Sequence, residues 1–364
     1  MKKIRVLFIE NRPEFMAAIK RSIEQARDIE CIGEAINFSS GLILIKNSKP
    51  DIVLAYDDPA IGDFTADLLR IFPDIGIIIV SGDDPASPQS VVTALAKGAF
   101  DFVTGIGAKT IIDGNEAVSN LLLSKIRCCS IKRYSRMVRG GGNEDVLQRN
   151  NPAVQRAEEN SLRKSAQKMQ CSKFDVVLIG VSTGGPEALM KVLPALPEKF
   201  PVPILIVLHM PKEFTEPMAA ALDRKSRIRV REVREDENVL PGKAYLAHGG
   251  LHCTVTRTVS GGVQLHTNDD PPENGCKPSV DVLFRSAALV YGSRSLAVVL
   301  TGMGSDGMRG CEAVKSQGGI VMVQDESSSV VWGMPGSVAK AGFADEIASI
   351  TAIPQRLCAL LGVS

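Results

Sequence analysis

Short apolar runs alternate with amphipathic stretches over the first 127 residues. Each run is followed by a segment with helical spacing of apolar positions and a helix start signal, such as Pro13 at the beginning of the first segment. Such strand and helix units in series predict a parallel sheet with helices on both faces. The predicted strands are Ile4–Ile9, Cys31–Ala35, Asp51–Tyr56, Gly76–Ser81 and Asp101–Val103.

The alternation stops at Cys128 and resumes near residue 173. Three consecutive glycines, at 140 to 142, precede a stretch dominated by Asn, Gln, Arg, Glu and Lys. This composition favours a linker over a packed element. We therefore predict two domains, residues 1–127 and 173–364, joined by a flexible linker at 128–172 that contains one solvated helix at Ala157–Met169.

The second half again alternates apolar runs with helical patterns. Its pattern predicts a second doubly wound α/β domain with a parallel sheet. The predicted strands of that sheet are Asp175–Ile179, Ile204–Leu208, Leu296–Leu300 and Ile320–Val323. Between the second and third of them, shorter alternating segments predict an inserted β-meander: Arg227–Val233, Lys243–Ala247, Cys253–Thr256 and Val263–Leu265.

Composition and charge exclude several classes of protein. Charged residues make up 23% of the 364 residues and apolar residues 45%, with 42 Lys and Arg against 41 Asp and Glu. Neither a disordered chain nor a strongly basic nucleic-acid binder fits these values. The apolar runs fall short of the roughly 18 residues that span a bilayer, and Glu10 ends the first run too early for a signal peptide. We expect a cytoplasmic protein that neither inserts into a membrane nor binds nucleic acid.

The cysteines give no sign of a metal site or a disulfide framework. The chain has 8 Cys, without a C-x-x-C pair or zinc-finger spacing. Reduced thiols therefore fit better than disulfides. We expect neither a metal nor another cofactor.

A glycine-rich turn follows the first predicted strand of the second half. Gly180–Gly184 matches the G-x-S-x-G pattern, in which a strand-to-helix turn lifts a serine hydroxyl above the sheet edge. Ser182 is therefore a candidate nucleophile. The same turn could instead cradle a phosphate group, or Ser182 could cap the following helix, and the motif alone does not decide between these readings.

Two further strand ends carry the other residue types of a catalytic triad. His209 follows the strand Ile204–Leu208, and Asp306 lies in a glycine-rich loop after the strand that ends at Leu300. Because ligands of open α/β sheets bind at the carboxyl ends of the strands, these side chains should meet Ser182 there. Taken alone, Asp306 could also be the N-cap of the next helix. A serine, histidine and aspartate at three strand ends favour nucleophilic catalysis.

The second half contains six ordered blocks of distinctive sequence: Ile179–Gly185, the strand ending in His209–Met210, Lys277–Phe284, Leu300–Gly307, Gln324–Asp325 and Trp332–Pro335. These blocks closely resemble the catalytic domain of the CheB family of chemotaxis protein-glutamate methylesterases, and the resemblance covers about residues 174–360. It implies hydrolysis of γ-methyl glutamyl esters on the cytoplasmic helices of methylated chemoreceptors, with deamidation of receptor glutamines as a related activity.

The same resemblance implies roles for individual residues. Ser182, His209 and Asp306 match the family's catalytic serine, histidine and aspartate. Thr183 and Met303 match positions that line the family's active site, where backbone donors hold an oxyanion.

Residues 1 to about 126 resemble the receiver domain that these methylesterases carry at their N-terminus, with departures at the phosphorylation site. The acid pocket is reduced to Glu10-Asn11, and Gly105 stands where the family has a lysine, although Ser81 fits the family's Ser/Thr position. Transfer of a phosphoryl group to aspartate needs Mg²⁺ held by clustered carboxylates and a cation beside the phosphoryl oxygens. The resemblance therefore implies a degenerate receiver.

The position of the phosphoacceptor has two readings. Counting from Asp51 puts Tyr56 at that position, whereas a gap elsewhere in the loop makes Asp57 the acceptor. Gly105 lacks the ammonium group in either reading, so we predict that ordinary aspartate phosphorylation is lost. The resemblance implies a histidine kinase or another chemosensory protein as a partner of this half.

Three hypotheses from different classes follow. The leading one is a two-domain serine hydrolase acting on receptor glutamyl esters. The second is a non-catalytic signalling scaffold whose two domains only bind partners. The third is a nucleotide-binding protein that uses Gly180 to Gly185, although that stretch lacks the strict G-x-G-x-x-G spacing.

Overall fold

The computed structural model describes residues 3–82, 87–105, 116–140 and 174–363. These residues fall into two compact units, within Met1–Arg136 and Met137–Ser364. The greater part of the predicted linker, with the predicted helix Ala157–Met169, lies outside the described residues.

The first unit is built on a parallel sheet with the strand order β2-β1-β3-β4-β5. Apolar runs form its strands because helices cover both faces of such a sheet. The strands are β1 (Ile4–Ile9), β2 (Ile29–Ala35), β3 (Ile52–Tyr56), β4 (Gly76–Val80) and β5 (Asp101–Val103). The helices are α1 (Pro13–Glu24), α2 (Phe38–Ser48), α3 (Ile61–Ile71), α4 (Pro88–Ala96) and α5 (Glu116–Gly140). The predicted doubly wound architecture is confirmed.

Helix α5 continues past Cys128, where the sequence predicts the linker to begin. Cys129 is buried at 2% exposure, so the helix still packs against the unit at that point. Arg127 makes two hydrogen bonds to Asp28, at 2.7 and 2.8 Å, and Arg133 pairs with Asp51. Tertiary contacts therefore hold a segment whose basic composition, taken alone, resembles a linker.

The second unit is built on a seven-stranded sheet with the order β15-β14-β13-β6-β7-β10-β8, in which all paired strands are parallel. Its strands are β6 (Val176–Val181), β7 (Ile204–Leu208), β8 (Arg229–Val233), β10 (Lys243–Ala247), β13 (Ser295–Val299), β14 (Ile320–Gln324) and β15 (Glu346–Ala348). Its helices are α6 (Gly185–Val192), α7 (Lys212–Lys225), α8 (Val280–Tyr291), α9 (Met308–Ser316), α10 (Met334–Lys340) and α11 (Ile353–Leu361).

The predicted β-meander is smaller than its alternating segments indicate. The strands β8 and β10 belong to the parallel sheet, and only β9 (Glu237–Asn238), β11 (His252–Arg257) and β12 (Val263–Asn268) form a separate antiparallel sheet. The strand β8 lies at the edge of the parallel sheet. Its residues alternate between apolar and polar because one face of this edge strand is exposed. Sequence periodicity cannot distinguish such an edge strand from a strand of a hairpin.

The order of the parallel sheet creates a crevice at its centre. The strand β6 lies between β7, which follows it in the chain, and β13, which the chain reaches much later. The strand that follows β6 in the chain thus lies on one side of it, and the strand added later lies on the other. This reversal of strand order opens a crevice at the carboxyl ends of the strands. Among the described residues, no helix is long and apolar enough to cross a membrane.

Candidate active site

The three predicted triad residues lie in loops at the carboxyl edge of the second sheet. Ser182 directly follows β6, His209 directly follows β7, and Asp306 lies in the loop between β13 and α9. Because these strands are neighbours, their loops meet over the central crevice.

A tight strand-to-helix turn holds Ser182. Its backbone N–H donates to the Thr301 carbonyl at 3.0 Å, and its carbonyl accepts from the Gly185 N–H at 2.7 Å. Gly184 has φ +75°, and a Cβ there would lie 2.4 Å from the Val330 side chain, so only glycine fits the turn. Helix α6 has Gly184 as its N-cap and no side-chain cap hydrogen bond. The reading of Ser182 as a helix cap is therefore not supported.

His209 is joined to Asp306 by a direct hydrogen bond. Its Nε2 lies 2.8 Å from Asp306 Oδ2, and its backbone N–H donates to the Val181 carbonyl at 3.1 Å. The second link ties His209 to the end of β6, next to Ser182. The described residues contain no hydrogen bond between Ser182 Oγ and the imidazole, and such contacts often tighten only when substrate binds.

The N-terminus of helix α8 binds the Asp306 carboxylate. The Val280 and Asp281 N–H groups donate to it at 2.7 and 3.1 Å, and the Ser279 hydroxyl donates at 2.8 Å. Helix α9 instead has Gly307 as its N-cap, so Asp306 does not cap the helix that follows it. The positive end of the α8 dipole favours a negative charge at this position.

The electrostatics of the pair favour its charged form. Burial alone would raise the pKa of Asp306, but His209 and the donors at the start of α8 together hold the pKa of this carboxyl well below its usual range. Burial alone would lower the pKa of His209, but the hydrogen bonds and charges of Asp306 and Cys276 raise it overall. Asp306 is therefore suited to orient the imidazole and to stabilise its protonated form.

The two predicted oxyanion residues lie beside the nucleophile candidate. Thr183 is buried, its carbonyl accepts from the Thr301 hydroxyl at 3.0 Å, and the hydrogen bonds of the described ranges leave its N–H without an acceptor. Met303 is 37% exposed in the loop that begins with Gly302. A Cβ at Gly302 would lie 2.9 Å from Ser182 Cβ, so the lack of a side chain lets this loop approach the serine closely.

Sequence reasoning missed three residues around the pair. Ser279 and Asn274 both donate to Asp306 Oδ1, at 2.8 and 3.2 Å. Cys276 Sγ lies 3.6 Å from His209 Nδ1. The block Lys277–Phe284 signalled that this region matters, but nothing in its pattern indicated which side chains reach His209 and Asp306.

One cluster in the described residues has the donor atoms of a metal site. Ligand atoms of His209, Cys276 and Asp306 all lie within 4.8 Å of one another. The donors are an imidazole, a thiol and a carboxylate, a set that suits zinc.

Asp57, the phosphoacceptor candidate of the first unit, lies beside an arginine rather than a histidine. Asp57 is buried, its Oδ2 accepts from the Ser81 hydroxyl at 2.6 Å, and Arg12 Nη2 lies 3.6 Å from its Oδ1. Arg12 also makes two side-chain hydrogen bonds to the buried Glu10, at 2.8 and 2.9 Å. A guanidinium thus lies between the two carboxylates of this pocket.

The other two predicted positions of the first unit have structural explanations. Tyr56 stacks on Phe38 with ring centroids 5.1 Å apart, so its side chain belongs to an aromatic cluster. Gly105 has φ +77°, a conformation that a lysine would adopt only with strain.

Comparisons with known proteins find full-length relatives and a sequence model of the CheB methylesterases. A sequence model described as CheB methylesterase matches residues 177–357. The protein-glutamate methylesterase/protein-glutamine glutaminase of Desulfotalea psychrophila is 34% identical over 98% of this chain and 98% of its own length. The one from Trichodesmium erythraeum is 34% identical over the full length of both chains. The crystal structure of the Thermotoga maritima CheB methylesterase catalytic domain covers 51% of this chain and 97% of that one, with 40% identity and a TM-score of 0.50.

Proposed function

This chain belongs to the CheB methylesterase family, and we propose that it hydrolyses γ-methyl esters of glutamate side chains on the cytoplasmic helices of methyl-accepting chemoreceptors. The observation that carries the proposal is the 2.8 Å hydrogen bond between His209 Nε2 and the buried Asp306 carboxylate, at the sheet edge where Ser182 directly follows the adjacent strand. A cytoplasmic location is part of the same proposal.

In the proposed reaction, Ser182 Oγ attacks the γ-carbonyl carbon of the ester and His209 accepts its proton. Nδ1 is the nitrogen that accepts it, because Nε2 is bonded to Asp306. The tetrahedral intermediate collapses as the bond to the methoxy oxygen breaks, and the imidazolium returns the proton to release methanol. Water then attacks the acyl-serine with the same base, which yields glutamate and free Ser182.

The backbone N–H of Thr183 is the proposed main oxyanion donor. In a strand-turn-helix nucleophile motif, the N–H of the residue after the nucleophile points at the developing negative charge. The absence of a protein acceptor for this N–H in the described residues supports the role. The loop between β13 and α9, which contains Met303, approaches Ser182 closely at Gly302. We propose that it lines the other side of the active site.

Deamidation of receptor glutamines is proposed at the same site, in line with the double name of the relatives. The acyl-serine is the same, and the leaving group becomes ammonia. Because an amide nitrogen leaves only when it is protonated, the imidazolium that Asp306 stabilises is needed more for glutamine than for the ester.

We further propose that the first unit is a receiver-like regulatory half that works without aspartate phosphorylation. The placement of Arg12 between Glu10 and Asp57 supports this, since a guanidinium already pairs with the acids that would hold Mg²⁺ and offsets part of their negative charge. This half then acts as a constant brake or as a docking site for a histidine kinase or another chemosensory protein.

Methanol release from methylated receptor membranes tests the function. The full chain should release methanol, and Ser182→Ala should lose several orders of magnitude in rate while its circular dichroism is unchanged. Ser293→Ala, which alters an exposed serine of the same unit, is the matched control and should keep the full rate.

Each alternative predicts a different outcome of the same assay. A scaffold would release no methanol in any form of the chain. Full activity in a folded Ser182→Ala variant, combined with loss of activity in Cys276→Ala, would move the nucleophile to the thiol that faces His209.

A further inference from the structure

We propose that His209 Nδ1 and Cys276 Sγ form a binding site for a thiophilic divalent cation of the zinc class, and that a bound cation inhibits the enzyme. The two residues are 67 positions apart in the chain, so no cysteine spacing in the sequence indicates this site. It arises because the loop before α8 folds over the end of β7.

The distance between the two donor atoms fits one metal ion. With Zn–N bonds of about 2.0 Å and Zn–S bonds of about 2.3 Å at a tetrahedral angle, the nitrogen and sulfur lie about 3.5 Å apart. The observed separation of Cys276 Sγ and His209 Nδ1 is 3.6 Å. A cation can therefore bind both atoms without a large movement of either side chain.

The other nitrogen of the imidazole has the partner that a zinc-binding histidine needs. Histidine ligands of zinc usually donate their second ring N–H to a carboxylate, which fixes the tautomer and makes the free nitrogen more basic. Here Nε2 is bonded to Asp306 Oδ2 at 2.8 Å, so the lone pair lies on Nδ1 and faces Cys276 when the imidazole is neutral.

A tight turn holds the thiol in place. Glu273 and Cys276 exchange two backbone hydrogen bonds, at 3.1 and 2.9 Å, across Asn274 and Gly275, which have φ +53° and +73°. Positive φ at both central residues is the type I′ geometry that an Asn-Gly pair favours. Arg285 anchors the turn through two hydrogen bonds to Glu273, both 2.6 Å long. Because this turn already fixes the backbone around Cys276, metal binding costs little further loss of conformational entropy.

Binding needs no redox step. The Cys276 thiol and the His209 imidazolium each lose one proton to solvent. The thiolate then forms the metal–sulfur bond, Nδ1 donates the lone pair that deprotonation frees, and water or substrate oxygen fills the remaining positions. Cys276 is half-buried, so a cation can reach it from solvent. The proposed inhibition rests on the proposed function, because the metal blocks the nitrogen that accepts the Ser182 proton. The proposed metal binding does not depend on that function.

Titration of the full chain with Co²⁺ tests the binding. Co²⁺ bound by a thiolate gives a charge-transfer absorption in the near ultraviolet, which should saturate near about one equivalent and disappear when Zn²⁺ is added. Cys276→Ser should lose this absorption, and Cys358→Ser, which removes another half-buried thiol of the same unit, should keep it. No absorption in the parent, or the same absorption in Cys276→Ser, would overturn the proposal.

Ester hydrolysis with and without added Zn²⁺ tests the inhibition. Added Zn²⁺ should lower the rate at least about tenfold in the parent and in Cys358→Ser, so that the ratio of the rate with Zn²⁺ to the rate without it is about 0.1 or less. A chelator should restore the rate. In Cys276→Ser the ratio should stay near one. A Zn²⁺ response that Cys276→Ser retains would refute the inhibitory site. A parent that forms the Co²⁺ absorption but hydrolyses no ester under any condition would instead refute the proposed function and leave the metal site standing.

Discussion

Each unit buries an aspartate at the carboxyl edge of its parallel sheet, and each aspartate accepts a hydrogen bond from a serine hydroxyl. Asp306 accepts from Ser279 at 2.8 Å, and Asp57 accepts from Ser81 at 2.6 Å. The two aspartates differ in the cation beside them. Asp306 faces the imidazole of His209, whereas Asp57 faces the guanidinium of Arg12.

Because of this difference, the pocket around Asp306 has a side chain that can accept and donate a proton, whereas the pocket around Asp57 has a side chain that stays protonated. An imidazole gains and loses a proton in the range where enzymes work. The hydrogen bond from Arg12 to Glu10 raises the pKa of the guanidinium further above its already high value, so Arg12 stays charged. The first pocket thus holds a permanent positive charge supplied by the chain itself, while the second keeps a titratable partner next to a candidate nucleophile.

The same conservative substitution in the two pockets should give the largest contrast. Asp306→Asn should reduce methanol release about 10⁴-fold, because the imidazole loses the acceptor that fixes its tautomer. Asp57→Asn should leave the rate unchanged. Thermal unfolding of both variants shows whether the fold is retained. Comparable losses in the two variants would mean that the first pocket also supports catalysis.

The pH profile of ester hydrolysis should show the titratable partner directly. The balance between burial, which lowers the pKa of His209, and the contacts with Asp306 and Cys276, which raise it, brings this pKa to about 9. Only the neutral imidazole accepts the Ser182 proton, so kcat/KM should rise about tenfold per pH unit below that value and level off above it.

Cys276→Ser sharpens this test. The thiol is one of the groups that raise the pKa of His209, so the variant should move the inflection to lower pH, whereas Cys358→Ser should leave it in place. A chelator in all samples removes any effect of metal. A parent inflection near the ordinary histidine value of about 6.5 would contradict the electrostatic account.

Removal of the permanent cation should destabilise the first unit. Arg12→Ala leaves the buried Glu10 and Asp57 without their guanidinium, and because Arg12 is partly exposed we expect a loss of about 1–3 kcal/mol in the free energy of unfolding. Arg127→Ala, which breaks an exposed pair with Asp28, should cost less than about 1 kcal/mol. Mg²⁺ should restore part of the loss in Arg12→Ala and leave the parent unchanged. Equal losses in the two variants in urea unfolding would argue against the proposed role of Arg12.

The smallest expected effect is that of a phosphodonor. Acetyl phosphate with Mg²⁺ should leave the rate of ester hydrolysis by the full chain unchanged, because Arg12 already pairs with the acids of this pocket and Gly105 supplies no ammonium group. A clear stimulation that disappears in Asp57→Asn would show that the receiver-like half takes up phosphate.

The strands were predictable from the sequence because they are local patterns, and the positions predicted for the triad are defined by the same patterns. Fully buried parallel strands read as apolar runs, and Ser182 and His209 each stand directly after such a run. Neighbouring parallel strands bring their carboxyl ends to one edge, so their proximity follows from the fold class alone.

The rest depended on contacts between distant parts of the chain. Ser279 and Cys276 reach Asp306 and His209 only because helix α8 points its N-terminus at Asp306 and the turn before it lies beside His209. Arg12 follows Glu10 by two residues, yet its proposed role also depends on Asp57, which follows another strand. Helix α5 extends past Cys128 because Ile126 and Cys129 are buried against the first unit, and Arg127 and Arg133 also pair with its acids.

Labelling of the nucleophile tests the central claim most directly. A fluorophosphonate reacts with a serine only where a base removes its proton and an oxyanion site receives the developing charge. After treatment of the full chain, peptide mass spectrometry should find one adduct, on Ser182, and His209→Ala should lose it. An adduct on Cys276, or equal labelling of Ser182 and the exposed Ser293, would contradict a Ser182–His209–Asp306 triad.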